Sequence, residues 1–194
     1  MLMSLFKKRP SFRNAGEAVG EPLYAALAAQ ARQPAFYRPP PGGLGVADRI
    51  DARFELYTLH ALLLILRLRD EDGAGADSGS GIGPGAAAAQ SLFDVYVSAL
   101  DNVLRELGVG DISMARKMRT LGEALYGRMT AYEGPLRAAD ADTLAVHLAR
   151  NVFESEDATR AGTLARYATQ ARSDLATQPF AEVVKSPVWP EIKP

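Results

Sequence analysis

Asp51 and Glu55 lie four residues apart, one helical turn, and His60 follows five residues later. Two carboxylates beside an imidazole hold the groups for general acid–base work on a small substrate. The plainer reading makes Asp51 and Glu55, with Arg53 between them, first-turn charges favoured by a helix dipole. His60 is then a core-edge histidine bonded to a carbonyl or carboxylate. A sharper version makes it one wall of a binding groove. Metal ligation is disfavoured, because no second ligand stands at the right spacing on this segment and the only other histidine is His147. Asp94 and Asp101 are seven apart and so share a face. The plain reading is a solvated or salt-bridged surface. The functional one pairs them with the cations Arg116, Lys117 and Arg119. That cluster is itself an ordinary solvated face unless a partner uses it. No aromatic platform interleaves it, which argues against nucleic acid. Gly108-Val109-Gly110 follows a helical pattern rather than a strand and lacks a P-loop lysine, so it is no phosphate cradle. We assign no catalytic, cofactor-binding or metal-binding residue.

Composition narrows the classes further. The 194 residues carry a net charge of −1, so no global field recruits nucleic acid or an anionic membrane. Apolar residues make up 47% and charged residues 23%, enough for a sizeable core. There is no cysteine, which removes disulfides, thiolate nucleophiles and zinc–cysteine sites. The first sixteen residues are basic through Lys7, Lys8, Arg9 and Arg13. They lack the apolar run of a secretory signal. They read as a flexible basic tail, with Leu2, Met3, Leu5 and Phe6 offering a lipid-surface contact worth about 1 kcal/mol per basic residue. Tyr57–Leu68, the most apolar stretch, falls short of the roughly 20 residues a spanning helix needs.

The elements that must position these residues are all helical. Pro22 suits a first turn, and Glu21–Arg32 carries an apolar stripe. A run of prolines and glycines at 39–43 makes an irregular connection. A helix from Asp48 or Asp51 to about Arg69 is apolar over most of its girth, which puts it at the centre of a bundle. Residues 70–86 read as a mobile Gly/Ser/Asp-rich loop. The next helix, about Ala87 to Leu107, presents Leu92, Tyr96, Leu100, Val103 and Leu107 on one side. Gly108 stops it, Gly110 turns the chain, and Asp111 or Ser113 caps the following helix. This tight joint predicts antiparallel packing of the two helices. Met114, Met118, Leu121, Leu125 and Met129 form the second helix's core stripe, with a stop near Tyr132. Two more helices run from Asp140 or Asp142 to Phe153 and from Asp157 to Thr177. An extended tail over 179–194 is pinned by Phe180 and Trp189. The whole is all-α: one bundle-like domain of about six helices over residues 21–178, after a basic tail over 1–20.

Several stretches, taken in order, carry a resemblance. They are LYAALAAQAR followed by Phe36-Tyr37; Asp51, Arg53, Phe54 and Glu55 followed by Leu59-His60; AQSLFD with Asp101; Leu107 to Asp111; and Leu125-Tyr126-Gly127-Arg128. Together they resemble the ubiquinol–cytochrome c chaperone family, and the short N-terminus and internal Gly/Ala loop look like its alphaproteobacterial members. The resemblance implies an assembly chaperone rather than an enzyme. The client would be newly made cytochrome b, bound during biogenesis of respiratory complex III. It also implies a second assembly chaperone and the ribosome as further partners. The implied location is the cytoplasm, peripheral on the inner face of a bacterial inner membrane, or the matrix side in a mitochondrion. The family-pattern positions are Arg53, Phe54, Glu55, His60, Asp94, Asp101, Gly108, Gly110, Asp111, Lys117, Tyr126 and Arg128. Arg116 joins them as part of an expected client surface. No nucleotide motif accompanies them, so binding is expected to be passive and ATP-independent, without a cofactor. Two other readings stay open: a membrane-surface scaffold, and a small-molecule enzyme built on Asp51, Glu55 and His60.

Overall fold

The apolar run at Tyr57–Leu68 becomes the axis of the molecule. A computed structural model describes residues 17–73, 83–106, 108 and 110–193. All regular structure among them is helical: α1 (Glu17–Ala31), α2 (Pro34–Tyr37), α3 (Ile50–Gly73), α4 (Pro84–Glu106), α5 (Asp111–Ala138), α6 (Ala141–Val152), α7 (Gly162–Thr177) and α8 (Phe180–Lys185), with a 3-10 turn at Ala158–Ala161 before α7. Every residue of α3 from Thr58 to Leu68 is buried. A helix apolar on all sides needs neighbours on all sides. Here α1 and α4 cover one flank and α5, α6 and α7 the other. No helix of the described residues is long and apolar enough to cross a membrane.

Several boundaries differ from the sequence reading, each for a local reason. α1 begins at Glu17, and Pro22 lies inside it. Its early turns pack tightly on α4: a Cβ on Gly20 would sit 2.6 Å from the carbonyl oxygen of Ser91. α3 runs on to Gly73, because its last turn is tied down. Asp70 pairs with Arg137 and Arg172, and Glu71 with Arg67. Asp72 accepts the backbone N–H groups of Gly85 at 3.0 Å and Ala86 at 2.6 Å. It thereby caps α4, which starts at Pro84. Of the expected mobile loop only 74–82 lie outside the described residues, as do 1–16 of the expected tail. α5 continues past Tyr132 to Ala138, through Pro135. Asp140 caps α6 through the N–H of Thr143. The C-terminal segment, read as extended, holds the six-residue helix α8. Phe180, Val183 and Val184 pack it on the core.

The packing predicts opposite outcomes for two alanine substitutions. Gly20→Ala should destabilise by about 1–3 kcal/mol through overpacking against α4. Gly127→Ala, where a Cβ meets nothing within 4 Å, should stabilise by up to about 1 kcal/mol through helix propensity. Urea denaturation of the two variants beside wild type measures both.

Candidate functional site

Side-chain ties fix how three long helices lie. The Asp72 cap joins the end of α3 to the start of α4. A hydrogen bond of 2.9 Å joins the hydroxyls of Thr58 and Tyr96 further along. α3 and α4 are therefore antiparallel, and the last turns of α4 pass the start of α3. α5 runs the other way: Arg128 meets Glu55 and Arg137 meets Asp70. The seventeen residues of α5 before Arg128, about 25 Å of helix, thus reach toward and beyond the start of α3.

The glycine joint makes α4 and α5 antiparallel in direction, as expected, but does not pack them on each other. Gly108 adopts φ 76°, a left-handed conformation. Gly110 is the N-cap of α5 and offers no side-chain cap; Ser113 Oγ instead donates to its carbonyl. Leu107, Val109 and the Asp111 side chain lie outside the described residues. Among the described residues α4 packs on α1 and α3, and α5 on α3, α6 and α7, but the two do not pack along each other. Apolar surface near the start of α3 is left partly uncovered. Val103, read as a core position, is 43% exposed, and Ile50 at the start of α3 is 58% exposed. Phe54, Val97 and Leu100 are half-buried against the core's edge. On α5, Met114, Leu125 and Met129 are buried, while Met118 and Leu121 are half-buried.

At the base of this opening the structure unites two family-pattern residues 73 positions apart. Arg128 Nε donates to Glu55 Oε1 at 2.7 Å. Glu55 is only 3% exposed, and its other oxygen has no hydrogen-bond partner. Burial pushes its carboxyl above the usual range, and the Arg128 charge opposes that shift. Tyr96 of α4 and Tyr132 of α5 both feel the Glu55 charge. Tyr132 in turn accepts a hydrogen bond from Asn151 of α6 at 2.8 Å. Neither tyrosine stood out in the sequence as part of a site; only the pairing across α3 reveals them.

The other predicted residues sit elsewhere. His60 is fully buried on the far side of α3. Its Nδ1 bonds the Leu56 carbonyl at 2.7 Å and its Nε2 the Tyr167 hydroxyl at 2.9 Å. Gln30 donates to the same hydroxyl, and Trp189 from the C-terminal segment stacks edge-on at 5.1 Å. So Asp51, Glu55 and His60 do not converge on one pocket. Arg53 pairs with Asp48 at 2.6 Å and lies over the Tyr37 ring. Asp94 accepts from Gln90, and Asp101 from Arg105 on its own helix. Tyr126 is half-buried. Arg116, Lys117 and Arg119 are exposed, and the described residues supply none of them with an ion pair.

Two buried groups give stability opposite pH slopes. Desolvation lowers the His60 pKa from 6.5 to about 4. The unfolded chain therefore binds that proton first as pH falls. At about 1.4 kcal/mol per pH unit, stability should drop by about 3 kcal/mol between pH 6.5 and 4. Glu55 works the other way: its raised pKa makes stability fall as pH rises through and above its ordinary value of 4.5. Chemical denaturation across pH 4–7 should show the acid-side loss flattened in His60→Gln and the opposing slope removed in Glu55→Gln.

Comparison with known proteins agrees with this architecture. Residues 43–189 match the family described as Ubiquinol-cytochrome C chaperone. No curated protein sequence matches this chain. A crystal structure of the Cbp3 homolog from Brucella abortus is similar, at 30% identity and a TM-score of 0.74, covering 99% of this chain and 98% of that one. The match spans α3 to α8 and takes in the Glu55–Arg128 pair and the buried His60, and on it this chain belongs to the ubiquinol–cytochrome c chaperone family.

Proposed function

We propose that this chain holds newly made cytochrome b while ubiquinol–cytochrome c reductase is being assembled. The surface we assign to the client is the opening where α4 and α5 part over the start of α3. The observation that carries the assignment is the exposure of Ile50 and Val103, with Phe54, Leu100, Met118 and Leu121 half-buried on the turns of α3, α4 and α5 at this end. Apolar side chains gathered at one end of a bundle suit an unassembled membrane segment, whose own apolar face needs cover.

Binding on this surface is passive. The client gains by burying apolar area and leaves when a later subunit covers the same area better. Nothing in that cycle requires nucleotide hydrolysis. The Glu55–Arg128 pair is a positioning feature here: it clips α5 to α3 just below the opening and so sets the angle of its wall. The work is placed on the cytoplasmic face of the inner membrane, or on the matrix side in a mitochondrion.

Tagged protein isolated from gently solubilised host membranes should enrich cytochrome b without the mature complex's other subunits. Val103→Glu combined with Leu121→Glu should reduce that enrichment at least about ten-fold, by placing charge on the surface that must be desolvated. The folded stability of the double variant should change little. Undiminished capture by the variant would remove this surface from consideration, and absence of cytochrome b from the wild-type sample would remove the client.

A further inference from the structure

Three cations on α5 are left over from the surface just described. Helical register places Arg116 and Arg119 on the side opposite the Met114, Met118, Leu121 and Leu125 stripe, with Lys117 on its flank. All three are exposed. Several surface cations elsewhere have an acid, such as Arg49 with Glu154, Arg53 with Asp48, Arg105 with Asp101 and Arg150 with Glu156; Arg32, Arg38, Arg160, Arg166 and Lys193 have none among the described residues but do not cluster on one helix face. The described residues offer none to these three. From Ile112 to Gly122 the sequence holds three cations and no acid, in a chain whose net charge is −1. The nearest acids are Asp111, Glu106 on α4, and Glu123, which shares the outer face one turn on.

We propose that this outer face of the α5 arm docks on an anionic lipid bilayer, with Arg116, Lys117 and Arg119 meeting lipid phosphates. The shape favours a surface over a small ligand, because one exposed convex helix face makes no cavity. No aromatic residue lies between Gly110 and Ala124, so there is no platform for stacked bases. A cationic face on the exposed side of an element reaching past the start of α3 is open to a plane. Docking there would hold the apolar opening beside the membrane from which the client emerges. That purpose rests on the function proposed above; the docking itself does not, and is tested without a client.

The test is vesicle flotation of the full-length protein at low salt. Vesicles are either phosphatidylcholine alone or phosphatidylcholine with a third phosphatidylglycerol. Each basic residue near an anionic surface strengthens partitioning by about five-fold. The Arg116→Gln, Lys117→Gln, Arg119→Gln triple variant should therefore float on the order of 100-fold more weakly on anionic vesicles. Replacing Lys7, Lys8, Arg9 and Arg13 by Gln should leave most of the binding intact. Circular dichroism of the triple variant should match wild type, since all three side chains are exposed. The proposal is overturned if wild type does not prefer anionic vesicles, or if the N-terminal variant rather than the arm variant loses flotation. It is equally overturned if the arm variant floats normally but captures less cytochrome b, which would assign the cations to the client.

Discussion

The burial of α3 on every side is the constraint from which the other helices take their places. Eleven consecutive residues, Thr58 to Leu68, have no contact with water to speak of. Most are leucines, and their removal from water is the main favourable term. Three polar residues go in with them, and each must find a partner or cost the molecule dearly. Thr58 finds Tyr96 on α4. His60 finds Tyr167 on α7, itself bonded to Gln30 on α1. Arg67 donates to the carbonyls of Leu175 and Gln178 at the end of α7. The apolar residues say only that neighbours are needed; the polar ones say which neighbour goes where.

Coverage of α3 fails at its beginning, and the candidate site follows from that failure. α4 and α5 are each anchored near the middle of the molecule and then run past the start of α3 without packing along each other. Some apolar side chains of those turns are only partly covered, and Ile50 and Val103 are exposed. In a protein selected only for stability such an opening would be filled, since uncovered apolar area is a liability. A chaperone needs the area uncovered until the client arrives. The buried Glu55–Arg128 pair sits at the boundary between the two regimes. Replacing it with apolar residues would be compatible with stability, but it would lose the directional tie that sets α5 against α3.

The apolar stripe and most of the cationic cluster of α5 lie on different sides of the same helix. Arg116 and Arg119 stand close to Met114 and Met118 in the chain, yet a 100° step per residue sends them to the opposite side, while Lys117 stays on the flank. An apolar surface and a charged one can then act on different partners at once without either being compromised.

Much of the fold was legible in the residues. Helical periodicity, the glycine at 108 and the aspartate at 140 mark elements and ends because they act through neighbouring backbone. The central role of α3 was legible too, since an all-apolar girth has one stable location. The four-residue extension of α3 was not, because Asp70 and Asp72 are held by groups reached only across the chain, at Arg137, Arg172, Gly85 and Ala86. Nor was the exposure of Val103: its spacing matches the buried Tyr96, and spacing cannot tell a stripe that meets a neighbour from one that outruns it. Local sequence by itself determined which segments are helical and which helix is central, because those properties depend on periods of a few residues. Tertiary structure alone decided that α4 and α5 do not pack on each other, that Glu55 meets Arg128, and where apolar surface stays open, because each depends on groups that only packing brings within a few ångströms.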